Sequence, residues 1–87
     1  MSKIIMGIEI EKRRDAAIAV QDILTEYGCF IKTRIGVHEA TDDRTVCSEN
    51  GYVILELIKD SDKEAAELET KLTKIAGVVV KKMEFRT

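Results

Sequence analysis

The single histidine, His38, stands nine residues before Cys47, with Glu39, Asp42 and Asp43 between them. Imidazole, thiolate and carboxylates are the donor types of a transition-metal site. The spacing contains no H-x-H, C-x-x-C or H-E-x-x-H, the short separations that bring two ligands to one ion. A Cys–His nucleophilic pair would need a third group to orient the base, and the sequence supplies none. The plainer reading of His38 is a strand-end histidine on an exposed hairpin. No acid, base and nucleophile fall into a catalytic pattern. We therefore expect no catalytic residue, no metal and no cofactor, and a chain that is not an enzyme.

The basic residues offer binding rather than catalysis. Lys12, Arg13 and Arg14 stand at the start of a predicted helix, where free amides attract an anion but cations oppose the dipole. No glycine-rich loop accompanies them, so a nucleotide cradle is not expected, and Asp15 is a ready partner in a solvated turn. Lys32 and Arg34 fall on an edge strand beside Gly36, on what simple alternation makes its uncovered face. Arg34 could grip a carboxylate in two-pronged fashion, and Gly36 would allow close approach. With His38 they form the candidate ligand-binding set: Arg34, Gly36 and His38. The competing reading is that these cations, like Lys81, Lys82 and Arg86 at the other edge, block strand-to-strand aggregation.

The elements that position these residues are legible from periodicity. Ile4, Met6, Ile8 and Ile10 alternate with Ile5, Gly7 and Glu9, which predicts a strand. After the polar break from Glu11 to Asp15 a helix runs to about Tyr27, with Ala17, Val20, Leu24 and Tyr27 on its core stripe, Ala16 and Ile23 beside it, and Gly28 closing it. A strand follows from Cys29 to about His38, with Ile31, Thr33, Ile35 and Val37 on one face. Cys29, just after the helix, is expected to be buried. The polar stretch from Glu39 to Gly51 reads as a long hairpin connection ending in Asn50-Gly51 turn chemistry. An apolar strand, Tyr52 to Ile58, precedes Ser61-Asp62-Lys63-Glu64, a capping box at the start of a second helix. Ala65, Leu68, Leu72 and Ile75 follow at helical spacing. Gly77 then stops the helix, and Val78-Val79-Val80 opens a last strand. The parity of that strand is open: Val78 and Val80, or Val79, Met83 and Phe85, face the helices.

The two helices repeat one another. Ala17, Val20, Leu24 and Tyr27 lie 48 residues before Ala65, Leu68, Leu72 and Ile75, while Gly28 and Gly77 are offset by 49. Two tandem βαβ units with right-handed crossovers predict an α+β, ferredoxin-like βαββαβ sandwich. Its antiparallel sheet has order 4-1-3-2, with both helices on one face. The whole chain, 1–87, is then a single domain.

Composition sets the outer limits. The 87 residues carry 34% charged side chains but a formal net charge of −2, without the basic excess of a dedicated nucleic-acid binder. No apolar run is long enough for a membrane span, and the first residues lack a signal-peptide pattern. The expected compartment is the cytoplasm, with Cys29 and Cys47 as reduced thiols. A domain this small gains from oligomerisation. With helices on one side only, Ile5, Tyr52, Ile54 and Ile58 are left on an open sheet face, too apolar for free surface. A homo-oligomer, dimer or tetramer, packed through that face is expected.

Four segments resemble a known family. They are Ile23 to Gly28, Arg34-Ile35-Gly36-Val37, the strand from Tyr52 to Ile58, and Lys71-Leu72-Thr73-Lys74-Ile75-Ala76-Gly77-Val78-Val79-Val80-Lys81. Together they are similar to the iron-only hydrogenase system regulators, small single-domain proteins related to ACT-like regulatory domains and to the carboxy-terminal domain of nickel-responsive repressors. The resemblance implies a small oligomeric regulatory module that senses a small-molecule effector at a subunit interface. One histidine does not make up the nickel set of those repressors. The chain has no separate DNA-binding element, so no direct nucleic-acid binding by this chain alone is implied. The alternative is a structural or protein-interaction adaptor that uses the same sheet face without a ligand.

Overall fold

The structure, a computed structural model, describes residues 1–11, 14–38 and 51–86, with backbone only at 14, 15 and 38. The element order is β1 (Ser2–Ile10), α1 (Arg14–Glu26), a 3-10 turn (Gly28–Phe30), β2 (Ile31–His38), β3 (Gly51–Leu57), α2 (Asp62–Thr73) and β4 (Val78–Arg86). The strands form one antiparallel sheet in the order β2-β3-β1-β4. This is the expected ferredoxin-like α+β topology, with β1 and β3 in the middle. The polar connection from Glu39 to Asn50, and Lys12 and Arg13, lie outside the described residues. The imagined cluster of His38 with Glu39, Asp42, Asp43 and Cys47 lies there too.

The core sits between the helices and one face of the sheet. Strict alternation buries Ile4, Met6, Ile8 and Ile10 of β1 and Val53, Leu55 and Leu57 of β3. Against them pack Ala16, Val20, Leu24 and Tyr27 of the first unit and Ala65, Leu68 and Leu72 of α2. Ala16, not Ala17, takes the innermost position on α1, while Ala17 and Ile23 pack at its margin. The register settles the parity of β4. Val78 lies opposite Ile10 and Val80 opposite Ile8, so these two face the helices, and Val79, Met83 and Phe85 do not.

Three local expectations are corrected. Ser61 occupies the N-cap of α2 but makes no side-chain cap; its hydroxyl instead donates to the Ile58 carbonyl at 2.9 Å. The preceding turn is claimed by β1. The Ser2 amide donates to Asp60 Oδ1 at 2.9 Å, the Asp60 amide donates to the Ser2 carbonyl at 3.1 Å, and the Ser2 hydroxyl donates to Asp62 Oδ1 at 2.5 Å. These bonds hold Asp60 at φ 59, a left-handed conformation that aspartate tolerates better than most residues. Gly28 does not act as a left-handed stop but opens the 3-10 turn, which places Cys29 at the surface rather than in the core. Gly77 does have φ +82, and its carbonyl accepts from the Glu11 amide at 2.9 Å, tying the end of β1 to the start of β4.

The two helix-closing glycines therefore answer differently to alanine. Gly77→Ala forces a Cβ into the left-handed region 3.5 Å from Glu11 Cβ, which costs about 1–2 kcal/mol. At Gly28 a Cβ meets nothing within 4 Å, so Gly28→Ala stays within about 0.5 kcal/mol of wild type. Urea denaturation of the two variants checks the contrast.

Candidate functional site

The sheet face away from the helices carries the one large surface feature of the described residues. Its register is read row by row. Val79, Glu9, Tyr52 and Val37 form one row across β4, β1, β3 and β2; Lys81, Gly7, Ile54 and Ile35 form the next; Met83, Ile5, Glu56 and Thr33 the third. Phe85 and Lys3 continue it. Tyr52, Ile54 and Ile58 are exposed here and Ile5 is half-buried, as expected. Ile35, Val37, Val79, Met83 and Phe85 join them, each between 43% and 56% exposed. The apolar patch is thus about twice the size that the sequence suggested, and large for an unpartnered surface.

The enlargement has a definite cause. A bulge in β2 sets Ile31 opposite Leu57 but Thr33 opposite Glu56, so one extra residue, Lys32, sits in the strand. A bulge breaks alternation at that point. Ile31 keeps its place against the core, whereas Thr33, Ile35 and Val37 turn to the open face. Arg34 and Gly36 are carried to the helix side, opposite Leu55 and Val53, and not to the open face where alternation placed them. The Arg34 guanidinium donates to Gln21 Oε1 on α1. Gly36 is exposed, and a Cβ there would meet nothing within 4 Å, so no crowding calls for glycine. The backbone of His38 pairs with Gly51 two residues further on. Arg34 and Gly36 are exposed together on the helix side of β2.

One concavity lies on the open face. A depression of about 270 Å3 is lined by Gly7, Glu9, Tyr52, Val79 and Lys81. Gly7 forms its floor in the middle of a central strand. The nearest atom to a Cβ built there is the Lys81 carbonyl oxygen at 4.0 Å, and its φ is not left-handed. The fold itself would accept alanine, and a strand-interior glycine costs about 0.5–1 kcal/mol relative to it. Such a glycine marks a place where a ligand or another chain approaches closely. The sequence signal was present in the apolar–glycine–apolar pattern of β1, but only the pairing with β4 shows what flanks it.

The charges on this face fall into two groups. Glu56 is held by Lys3 Nζ at 2.9 Å and accepts the Thr33 hydroxyl at 2.8 Å. These bonds, Lys3 first, hold its carboxyl below its ordinary value of 4.5. Glu9 and Lys81, on either side of the Gly7 floor, take part in no ion pair among the described residues. The helix side is laced more fully. Lys71 bonds Glu26 at 2.6 Å and lies 5.0 Å from the centre of the Tyr27 ring, which raises its pKa. Lys82 pairs with Glu69 at 3.3 Å. Among the described residues no three His, Cys, Asp or Glu side chains gather as a metal site. No helix among the described residues is long and apolar enough to cross a membrane.

With this geometry in view, solved structures place the chain. An uncharacterised protein of Thermotoga maritima superposes with a TM-score of 0.80 at 25% identity, over 99% of this chain and 100% of that one. The regulatory subunit of aspartate kinase from Thermus thermophilus, in its ligand-free form, matches at 0.54 and 23% identity, over 92% of this chain and 50% of that chain. CPII from Thiomonas intermedia, solved with ADP, AMP and acetate, matches at 0.54 and 11% identity, over 99% and 88%. The fold is ferredoxin-like. No family model and no curated protein matches the chain.

The depressed Glu56 pKa sets a pH dependence. A carboxyl whose folded value lies below its unfolded one stabilises the fold above the unfolded value and stops doing so as pH falls through the folded one. The urea midpoint of the wild type should therefore fall below about pH 4.5 more steeply than that of Glu56→Gln. Parallel curves would remove Glu56 from the acid response.

Proposed function

We propose that this protein is a small ligand-sensing regulatory module, not an enzyme, which self-associates in the cytoplasm through its open sheet face. The single observation that carries the reading is that face. Nine large apolar side chains, among them Ile5, Tyr52, Ile54 and Ile58, share one side of the sheet, and no helix among the described residues packs over them. Covering several such groups is worth several kcal/mol at about 25 cal/mol per Å2. The likeness to a regulatory subunit and to a nucleotide-bound CPII supports a sensory role for the fold, although the fold alone hosts many functions. The resemblance of the Arg34–Val37 and Lys71–Lys81 segments supports regulation of a hydrogenase system as the setting.

The effector, in this reading, is a small anion-bearing molecule bound on the helix side of the β2 edge, since the bulge turns Arg34 and Gly36 away from the open face. Arg34 supplies the charge, and Gly36 and His38 line the approach along the overhanging end of β2. Arg34 has the donors for a carboxylate and an exposed position from which to offer them. The second reading is an adaptor that uses the sheet face alone. Gly36 favours it, since a Cβ there would meet nothing within 4 Å among the described residues and no crowding calls for glycine.

Two variants separate the readings. Ile54→Glu places a charge in the middle of the face and should give a monomer by light scattering at about 50 μM, where a core-like interface persists. Arg34→Ala should leave the oligomer intact but lose, by tenfold or more, any small mass that native mass spectrometry finds on the wild type from its own cytosol. A wild-type oligomer with no retained mass, indifferent to a metabolite panel, is the adaptor's result.

A further inference from the structure

We infer that the open face is closed by a second copy of this chain, related by a two-fold axis, in which Glu9 of each copy pairs with the partner's Lys81 across the Gly7 depression. The inference rests on the self-association proposed above and adds what the two copies present to each other.

The area is sufficient. Four strands at about 4.8 Å and eight residues at about 3.3 Å give a footprint of about 500 Å2 per copy. Two copies reach about 1,000 Å2, the threshold for a specific interface, before side-chain relief is counted. Sheets stacked in this way sit about 10 Å apart with their inner side chains interleaved.

The charges specify the partner. On the open face Lys3 and Glu56 already satisfy each other at 2.9 Å. Glu9 and Lys81 remain, one carboxylate and one ammonium, each outside every ion pair of the described residues. Enclosing either without a counter-charge is expensive. A partner must therefore bring an ammonium to Glu9 and a carboxylate to Lys81. A second copy brings both, because a two-fold contact sets residue i against j and j against i. A wholly apolar partner would strand two charges, and a partner of one sign would leave one.

Gly7 lies between these charges, next to Glu9's neighbour on β1 and opposite Lys81 on β4. Its missing side chain leaves a hollow whose remaining lining includes Tyr52 and Val79. An apolar side chain of the facing copy can fill it. The sheet edge is a poorer route to the same end. Antiparallel pairing of β4 with itself about its middle would set Lys82 against its own counterpart, and like charges directly opposed destabilise a strand pair.

Charge reversal tests the arrangement. Glu9→Lys alone and Lys81→Glu alone should each weaken association at least tenfold in sedimentation velocity at low salt. An equimolar mixture of the two variants should recover wild-type association as a heterodimer, since both cross-pairs are then oppositely charged, one in the native sense and one reversed. The Glu9→Lys/Lys81→Glu double variant should recover it as a homodimer. Both positions are on the surface, and circular dichroism confirms that each variant is folded; should a reversal unfold the chain, Glu9→Gln and Lys81→Gln replace it, each expected to weaken association and to flatten its salt dependence. Dimers indifferent to the single reversals, or singles that weaken association and do not recover on mixing, overturn this pairing. If those dimers are still lost on Ile54→Glu, self-association through the face stands and only the pairing falls. A wild-type monomer removes both.

Discussion

Both helices pack against the same side of the sheet, and everything else in this molecule follows from that. Each βαβ unit makes a right-handed crossover, and two such units in tandem place α1 and α2 in one layer. The inner face is closed by Met6, Ile8, Leu55, Leu57, Leu68 and Leu72, all fully buried. Among the described residues no helix packs on the outer face. A sheet of four strands with one covered face usually turns polar residues to the other. Here isoleucine, valine, tyrosine, methionine and phenylalanine occupy it instead. On the outer face of the central strands Ile5, Tyr52 and Ile54 lie among Lys3, Gly7, Glu9 and Glu56.

The polar features of the molecule are consistent with this division. Three ion pairs form on the helix side: Lys71 with Glu26, Lys82 with Glu69, Arg86 with Asp62. The turn before α2 is fastened to β1 through Ser2, Asp60 and Asp62. These contacts fix the sheet as a rigid plate whose outer face can be presented without rearrangement. Rigid presentation lowers the ordering cost of association. On that plate Gly7 gives up strand stability for a hollow that the fold does not require, the kind of local inconsistency that marks functional surfaces.

How far the sequence speaks depends on whether its period is unbroken. β1 and β3 alternate cleanly, so their inner and outer residues were assigned correctly, and with them Ile5, Tyr52, Ile54 and Ile58. The helices, the strand order and the left-handed Gly77 follow from spacing and capping logic that local physics enforces. β2 defeats the same logic through a single inserted residue. Nothing in Ile31-Lys32-Thr33-Arg34 announces that Lys32 is extra, because the bulge is fixed by where β3 pairs, a long-range matter. That one residue moves Ile35 and Val37 to the open face and Arg34 and Gly36 away from it. The Ser61 cap failed for a comparable reason: a tertiary acceptor, the Ile58 carbonyl, took the hydroxyl that the local pattern had reserved. Glu9 and Lys81 were invisible as a pair of charges because β1 and β4 lie some seventy residues apart and meet only in the sheet.

The measurement that bears most directly on this account is sedimentation equilibrium of the wild-type chain across about 1–100 μM. The account predicts a mass at a whole multiple, two or four, of the 9.8 kDa chain over most of that range, because a face this apolar holds its cover at micromolar concentration. A mass that stays at one chain throughout would mean that the open face is tolerated in water, and would contradict the claim that it is an interface.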